Sequence, residues 1–286
     1  MIEFKNVNFS YVGRGEHRVK ALKDVNIEIN KNEFIGVIGH TGSGKSTFLQ
    51  HMNGLLKPLS GEVIVDGVST SGEKKDLIDV RRSVGYVFQY PEYQLFEETI
   101  EKDIEFGPKN LGYKEDELKE IVKEAMEMVN LDYESMKDVS PFELSGGQQR
   151  RTAIAGVLAM RPKYLVLDEP TAGLDPSARN KILDEIYKLY NRVNDLTVIL
   201  VSHSMEDIAR YANRLIVIDK GEIVMDGKPE DVFSKEEILK NIGLGVPQIT
   251  EFMHAYKNKG NDINDKILNV EDAYEEMKRY LGEKNG

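Results

Sequence analysis

The stretch that decides the fold reads Gly39-His40-Thr41-Gly42-Ser43-Gly44-Lys45-Ser46-Thr47 and is called the phosphate loop below. It follows the apolar run Phe34 to Ile38, which is typical of a strand buried on both faces. A helix is predicted to begin near Lys45. The stretch matches the pattern G-x-x-x-x-G-K-[ST] in the context that the pattern requires, between a strand and a helix. This context disfavours the alternative of a chance glycine-rich turn.

The residue types of the phosphate loop suit a nucleoside triphosphate. Glycines let backbone N–H groups turn toward phosphate oxygens, and the positive end of the following helix attracts an anion. We expect Lys45 to reach the β- and γ-phosphates of ATP. The hydroxyl of Ser46 is expected to bind Mg²⁺.

A second motif is an apolar strand that ends in two carboxylates, Tyr164-Leu165-Val166-Leu167-Asp168-Glu169. We expect Asp168 to hold Mg²⁺ through its water shell. Glu169, one residue further, is predicted to polarise the attacking water as a general base. A strand that merely ends in solvent-facing acidic residues is the alternative, and the phosphate loop disfavours it.

A third motif, Leu144-Ser145-Gly146-Gly147-Gln148, opens a predicted helix and is called the signature segment below. A serine and two glycines at a helix N-terminus make a second anion site. One nucleotide does not need two cradles, so we predict that this segment grips the ATP held by a partner chain. Ser145 is also expected to cap the helix.

Strands and helices alternate along most of the chain, which predicts an α/β fold with a mostly parallel sheet. Ile2, Phe4, Val7 and Phe9 predict an N-terminal edge strand whose partner contains Val25, Ile27 and Ile29. The other predicted elements are strands at 84–88, 164–167, 197–201 and 215–218, and helices at 115–129, 147–160, 177–192 and 205–211.

The alternation predicts a main domain over residues 1–228, with a helical subdomain at about 90–160 whose charged helical part is 112–141. Residues 229–286 are predicted to form a helical appendage, with helices starting near Gln248 and Val270. Its apolar residues could form a seam between two protomers or pack on their own domain. They are Ile249, Phe252, Met253, Ala273, Met277 and Leu281.

Composition excludes several classes of function. The 286 residues include no cysteine, so disulfides, thiolate zinc sites and cysteine nucleophiles are excluded, which fits a reducing cytosol. The sequence contains no run of 18 apolar residues, so no membrane span is predicted. Met1 to Lys5 predicts a strand and no signal peptide. The formal net charge of −11 argues against nucleic acid as the main partner.

The three motifs, in this order and spacing, resemble those of the nucleotide-binding domains of ABC proteins, and the resemblance extends from Met1 to about Asp226. It implies that Gln89 contacts Mg²⁺ and water and senses a transmembrane partner. It also implies that Asp175 belongs to the D-loop, that His203 contacts the γ-phosphate and that Tyr11 stacks on adenine. Alone, Gln89 and Tyr11 would read as ordinary surface residues and His203 as a core histidine. With Glu169 and His203 both present, the resemblance implies ATP hydrolysis as well as ATP binding.

A finer resemblance is to the ATPases of energy-coupling factor transporters, which power the uptake of vitamins and, in some systems, cobalt or nickel ions. The segments that carry it are 51–56, 90–100, 106–110, 155–160 and 243–248. In that family two ATPases often pair as a heterodimer on the cytoplasmic face of the cell membrane. They dock on an integral-membrane subunit, and a small membrane protein captures the substrate. Thr41 and residues 170–175 resemble the second of the two ATPases.

An aromatic and apolar cluster follows Gln89 and consists of Tyr90, Pro91, Tyr93, Leu95 and Phe96. We predict that it forms an exposed groove that seats a helix of the membrane partner. The alternative is that these side chains pack internally against the helical subdomain.

Three rival functions remain to be weighed. The segment after Gln89 and the tail argue against another class of ABC importer. A soluble ABC ATPase of DNA repair would need a long coiled-coil insertion, and one acting on ribosomes would need two fused ATPase domains. The signature segment excludes a kinase or GTPase. No motif encodes the transported substrate.

Overall fold

The computed structural model describes residues 1–12 and 18–284 and contains two β-sheets. The N-terminal sheet is antiparallel, and its strand order is β2-β1-β4-β5. Its strands are β1 (Ile2–Val12), β2 (Arg18–Ile29), β4 (Ser60–Val65) and β5 (Val68–Ser69).

The prediction that the first strand lies at an edge is wrong. In β1, Ile2 pairs with Ile29 of β2 on one side and with Val65 of β4 on the other. Alternating burial reports which face of a strand is covered, but not whether one or both of its edges are paired. The pairing of β1 with β2 is confirmed.

The second sheet has six strands in the order β10-β9-β3-β8-β7-β6. All neighbours are parallel except β10, which runs antiparallel to β9. The predicted α/β fold with a mostly parallel sheet is confirmed. Its strands are β3 (Phe34–Ile38), β6 (Val84–Val87), β7 (Tyr164–Asp168), β8 (Thr197–Val201), β9 (Arg214–Asp219) and β10 (Glu222–Gly227).

Alternate side chains of the six-stranded sheet enter two different apolar cores. In β3, Phe34 and Ile38 pack with the helices on one face, whereas Ile35 and Val37 pack toward the N-terminal sheet on the other. Burial on both faces explains why this strand has no polar alternation. Parallel strands also bring their carboxyl ends to one edge, where ligands bind in open α/β sheets.

The helices cover both faces of this sheet. The segment between β6 and β7 is largely helical, as the sequence predicts, and includes α3, which the sequence does not predict. The helices are α1 (Lys45–Met52), α2 (Lys74–Ser83), α3 (Ile100–Asn110), α4 (Glu115–Met128), α5 (Tyr133–Met136), α6 (Gly146–Leu158), α7 (Pro176–Arg192), α8 (Met205–Tyr211), α9 (Pro229–Phe233), α10 (Glu236–Asn241), α11 (Gln248–Asn258) and α12 (Val270–Lys284).

The C-terminal part of the chain has a small core of its own, formed by Met253, Ile263, Ile267 and Ala273. Val232 and Phe233 of α9 and Leu239 of α10 join the main core instead. The division at residue 228 therefore stays a prediction. Across the described residues, every helix is too short or too polar to cross a bilayer.

Candidate nucleotide site

The phosphate loop forms a tight turn between β3 and α1. At each of its three glycines the geometry favours glycine for a different reason. A Cβ atom on Gly39 would lie 2.3 Å from the carbonyl oxygen of Ile218. One on Gly44, where φ is 110°, would lie 2.4 Å from the carbonyl oxygen of Ala21. Gly42 has φ of 80°, and no described atom lies within 4 Å of where its Cβ would be. The backbone at Gly42 is therefore open to a ligand.

Lys45 points back under the phosphate loop. Its Nζ donates to the carbonyl oxygens of Gly39 at 2.8 Å and His40 at 3.1 Å. Burial lowers the pKa of Lys45, although the charges of Glu169 and Asp168 oppose this. The ammonium thus lies among acceptors at the base of the loop.

Some of the remaining side chains of the phosphate loop are held by the protein, and others are exposed. His40 is anchored, since its Nε2 lies 3.0 Å from Oδ1 of Asp219. Ser43 and Thr47 are buried, whereas Thr41 and Ser46 are exposed. The hydroxyl of Ser46 is therefore accessible from outside the loop.

The two carboxylates at the end of β7 have different surroundings. Asp168 is buried, and the hydroxyl of Tyr86 donates to its Oδ2 at 3.0 Å. Burial, reinforced by the charge of Asp168, raises the pKa of Tyr86, so this phenol remains a donor. Glu169 has φ of 51°, which is uncommon outside glycine and is typical of functional sites. A turn follows in which the N–H of Ala172 donates to the carbonyl oxygen of Glu169 at 3.1 Å.

Gln89 and His203 meet at Glu169. Nε2 of Gln89 donates to Oε2 of Glu169 at 3.2 Å, and Nε2 of His203 lies 2.8 Å from Oε1. The side chain of His203 is 53% exposed, so the reading as a core histidine is wrong. Three residues that the sequence separates by up to 114 positions therefore form one cluster, since they follow β6, β7 and β8 at one edge of the sheet.

Tyr11 lines the same cleft. Its hydroxyl is 3.1 Å from Oγ1 of Thr47, and its ring packs edge-on against Phe9. The cleft has a volume of about 490 Å³ and is lined by Tyr11, Val19, Lys20, Ala21, Thr41, Gly42, Gly44, Lys45, Ser46, Thr47, Gln89, Glu169 and His203.

Residues 19–21 of this lining belong to no motif, so sequence reasoning missed them. The strand register carries the one signal that could have found them, because Val19 pairs directly with Tyr11. This register brings the beginning of β2 to the cleft.

The signature segment lies at the exposed N-terminus of α6, and none of its residues is among those lining the cleft. The N–H and the hydroxyl of Ser145 both donate to Oε1 of Gln148, at 3.1 and 2.7 Å. No described atom lies within 4 Å of a Cβ built on Gly146 or Gly147. Asp175, in turn, caps α7 by accepting the N–H groups of Ser177 and Ala178.

The cluster after Gln89 is only partly exposed. Tyr93 is 84% exposed, and Tyr90 and Phe96 are also exposed. Pro91 and Leu95 are buried, with Leu95 only 7% exposed, so their assignment to an exposed groove is wrong. The reason is that residues 91–94 form a 3₁₀ helix packed on α6, which turns Pro91 and Leu95 inward and leaves Tyr93 and Gln94 exposed.

The donor set of the cleft suits Mg²⁺. In the described part of the chain, no three His, Cys, Asp or Glu residues lie close enough to hold a metal by themselves. Mg²⁺ does not require such a cage, since proteins bind it through one or two carboxylates together with phosphate oxygens and water. Asp168, Ser46 and Gln89 offer the hard oxygen donors that it prefers.

The parallel sheet and the phosphate loop define a P-loop nucleoside triphosphatase, and comparison with known proteins places it further. The family model described as "ABC transporter" matches residues 22–172. The energy-coupling factor transporter ATP-binding protein EcfA2 of Clostridium perfringens is 55% identical over 99% of both chains. The protein with the same description from Bacillus subtilis is 52% identical over 92% of this chain and 96% of its own length.

Solved structures agree with these relatives. The structure of cbiO1 from Clostridium perfringens, described as part of the ABC transporter complex cbiONQ, matches with a TM-score of 0.73 and 34% identity. The match covers 88% of this chain and 98% of that one. A dimeric, post-hydrolysis structure of the ATP-binding cassette MJ0796 with ADP and Pi matches with a TM-score of 0.71 and 34% identity, over 80% and 99% of the chains.

The chain therefore belongs to the ABC transporter family, within which it is one of the energy-coupling factor ATPases. The resemblance predicted from the motifs is confirmed. Its finer part, the likeness to the second of two paired ATPases, is confirmed by relatives named EcfA2.

Proposed function

We propose that this chain hydrolyses ATP to drive an energy-coupling factor importer for vitamins or transition-metal ions. It works as one of two ATPase subunits on the cytoplasmic face of a membrane complex. The observation that carries the proposal is the convergence of Gln89 and His203 on Glu169, in the cleft that also contains Lys45. Relatives named for energy-coupling factor transport supply the biological setting.

ATP binds across the cleft between Tyr11 and the phosphate loop. The ring of Tyr11 stacks on adenine, while the backbone of residues 39–47 and Nζ of Lys45 hold the phosphates. Lys45 leaves the carbonyl oxygens of Gly39 and His40 when a phosphate offers a stronger, charged acceptor.

Hydrolysis uses Glu169 as the general base. Its carboxylate accepts a proton from the attacking water, and Gln89 and His203 hold that carboxylate in place. His203 also positions the γ-phosphate, and Lys45 stabilises the negative charge that develops on it. These residues together promote in-line attack on the γ-phosphorus.

Mg²⁺ would be held by Ser46, Gln89 and Asp168. When bound, the ion would supply positive charge against the negative phosphate oxygens. The buried Asp168 is oriented for this by the hydroxyl of Tyr86. Ser46 contributes an accessible hydroxyl from the phosphate loop.

The signature segment acts on the ATP of the partner subunit. Ser145, Gly146, Gly147 and Gln148 lie at an exposed helix N-terminus, where backbone N–H groups favour an anion. Each ATP is therefore held between one chain's phosphate loop and the other chain's signature segment, with Asp175 of the D-loop near the shared surface. A heterodimer with a related ATPase is favoured over a homodimer.

The exposed aromatic residues Tyr90, Tyr93 and Phe96 dock on an integral-membrane subunit. Pro91 and Leu95 support this surface from beneath. A separate small membrane protein captures the substrate. The similarity to cbiO1, described as part of a transporter complex, supports this assembly.

The proposal is tested by purifying the tagged chain from detergent-solubilised membranes and identifying the co-purifying proteins by mass. We expect a second ABC ATPase, an integral-membrane subunit and small membrane proteins. Recovery with permeases of another importer class would contradict the subtype. Recovery with no membrane protein would favour a soluble ABC ATPase.

A further inference from the structure

Arg150 is a buried arginine on the signature helix α6, and the proposed chemistry does not use it. Its side chain is only 2% exposed. Nε donates to Oε2 of Glu92 at 3.0 Å, and Nη2 donates to Oε1 of Glu92 at 2.6 Å. Nη1 donates to the carbonyl oxygen of Ala172 at 3.0 Å. The guanidinium thus makes a two-pronged ion pair and a third bond in a different direction.

The three segments joined by this guanidinium each have a different place in the proposed function. Glu92 lies in the 3₁₀ helix Pro91–Gln94, directly before the exposed Tyr93. Arg150 follows Gln148 of the signature segment by two residues. Ala172 closes the turn whose first residue is Glu169. One side chain therefore connects the aromatic surface, the signature helix and the turn that carries the general base.

Two of the same segments also lie close together beside this guanidinium. Tyr90 has φ of 56°, and Cε1 of its ring lies 3.5 Å from where a Cβ on Gly173 would be. The residue after Ala172 therefore approaches the residue just before the 3₁₀ helix. Movement of the 169–173 turn would change the space beside the ring of Tyr90, and it would displace residues 90–94 as long as the bonds of Arg150 hold.

The ion pair of Arg150 and Glu92 is better explained by the positioning of the segments it joins than by stability. Burial opposes ionisation of Glu92, but the hydrogen bonds and charge of Arg150 outweigh it, so the pKa of Glu92 lies below its ordinary value. A buried ion pair is weak evidence for stability, since apolar residues of similar volume often serve as well. What apolar residues cannot do is fix three segments at defined angles, as a planar guanidinium does.

We propose that Arg150 is a positioning residue that transmits nucleotide binding in the cleft to the 3₁₀ helix 91–94 and its exposed aromatic side chains. The inference rests on the proposed function of the cleft and adds a residue to it. Arg150 acts through Glu92 and the carbonyl oxygen of Ala172, and it touches neither nucleotide nor membrane partner. Loss of its planar guanidinium should therefore uncouple the 3₁₀ helix 91–94 from the cleft, while the cleft still binds nucleotide.

The test is amide hydrogen exchange of the full chain with and without the ATP analogue AMP-PNP and Mg²⁺. In the wild type, nucleotide should slow exchange in residues 39–47 and change it in residues 90–97. In Arg150→Lys, which keeps the charge but loses the fork, the response of 39–47 should remain and that of 90–97 should be lost. Glu92→Gln, the gentler change on the partially exposed side, should give the same loss.

The control is Arg161→Lys, because Arg161 forms an ion pair with Glu124 that is largely exposed. This variant should respond like the wild type in both segments. A response of 90–97 that survives in Arg150→Lys and Glu92→Gln, even with a lowered melting temperature, would reduce Arg150 to a structural brace and overturn the inference. So would a wild type in which 39–47 responds and 90–97 does not. If 39–47 itself fails to respond, the proposed function of the cleft fails first.

Discussion

Nε2 of His203 lies 2.8 Å from Oε1 of Glu169, so the loop after β8 contacts the carboxylate at the end of β7 directly. The amide of Gln89, after β6, holds the other oxygen of the same carboxylate. Both oxygens of the carboxylate are therefore held by residues that follow strands β6 and β8. Such restraint is what a general base needs, because proton transfer depends on position as well as basicity.

Replacing His203 by alanine should slow turnover far more than it weakens ATP binding. The change removes one of the two contacts on Glu169 and the proposed contact to the γ-phosphate. We expect kcat to fall by roughly 10²-fold or more, within the range for a positioned catalytic group. Steady-state kinetics with equilibrium ATP binding would measure both. Ser204→Ala is the control, since it removes the cap of α8 and a hydrogen bond to Glu206 but no contact to Glu169. If both variants lost the same modest activity, the role of His203 would be structural.

Replacing Tyr11 by alanine should raise the KM for ATP and leave kcat nearly unchanged. Stacking of a base on an aromatic ring contributes about 1–3 kcal/mol, so KM should rise roughly 5- to 150-fold. Tyr11→Phe keeps the ring and loses only the hydrogen bond to Thr47, and it should remain close to the wild type. Val12→Ala changes an exposed neighbour and serves as control. An unchanged KM in Tyr11→Ala would rule out stacking at this position.

The buried carboxyl of Asp207 should make the stability of the folded chain depend on pH. Burial raises the pKa of Asp207, and the nearby Arg179 offsets this only in part. The folded state therefore binds this proton more tightly than the unfolded state, so the carboxyl's contribution to stability is present at low pH and is lost as the pH rises through the folded pKa. Asp207→Asn mimics the protonated form and should melt at a higher temperature than the wild type near neutral pH.

The difference in melting temperature between Asp207→Asn and the wild type should narrow as the pH falls through the raised pKa of Asp207, because the wild-type carboxyl then becomes protonated in the folded state. Melting curves at a series of pH values measure this. Asp79→Asn makes the same change at an exposed position on α2 and should not show the effect. A variant that is less stable than the wild type near neutral pH would mean that the ion pair with Arg179 outweighs burial.

Replacing Met253 by alanine should destabilise the C-terminal core. Met253 is fully buried beside Ile263 and Ile267, and truncation of a buried methionine costs about 2–5 kcal/mol. Phe252, its neighbour on α11, is half exposed, so Phe252→Ala should cost much less. Thermal melting and ATP binding would be measured together. Equal losses in the two variants would contradict the assignment of this core.

The buried strands could be predicted nearly to the residue. β3 and β8 coincide with their predicted runs, because a strand covered on both faces contains no solvent-facing position. Two helices were missed for different reasons. α2 buries only Val80, so it has no apolar stripe. α3 buries Ile100 and Ile104, but it contains Pro108, a residue that disfavours the interior of a helix. The pairing of β1 on both of its edges was likewise not predicted, since it depends on β4, which lies about 50 residues further along the chain.

The candidate site divides in the same way. Its residues could be found because each motif follows a strand of one parallel sheet, which brings Gln89, Glu169 and His203 to one edge. The hydrogen bonds among these three residues could not be predicted from the sequence, because the bonds depend on side-chain rotamers. The burial of Leu95 also escaped prediction, since a short 3₁₀ helix has too few residues to show its inward face.

The most direct test of the central claim, that this cleft hydrolyses ATP with Glu169 as its base, is the activity of Glu169→Gln in the complex purified with its membrane partners. Glutamine keeps the shape of the side chain and cannot accept the proton. ATP binding should persist, and turnover should fall by at least about 10²-fold. Turnover at the wild-type rate would contradict the account.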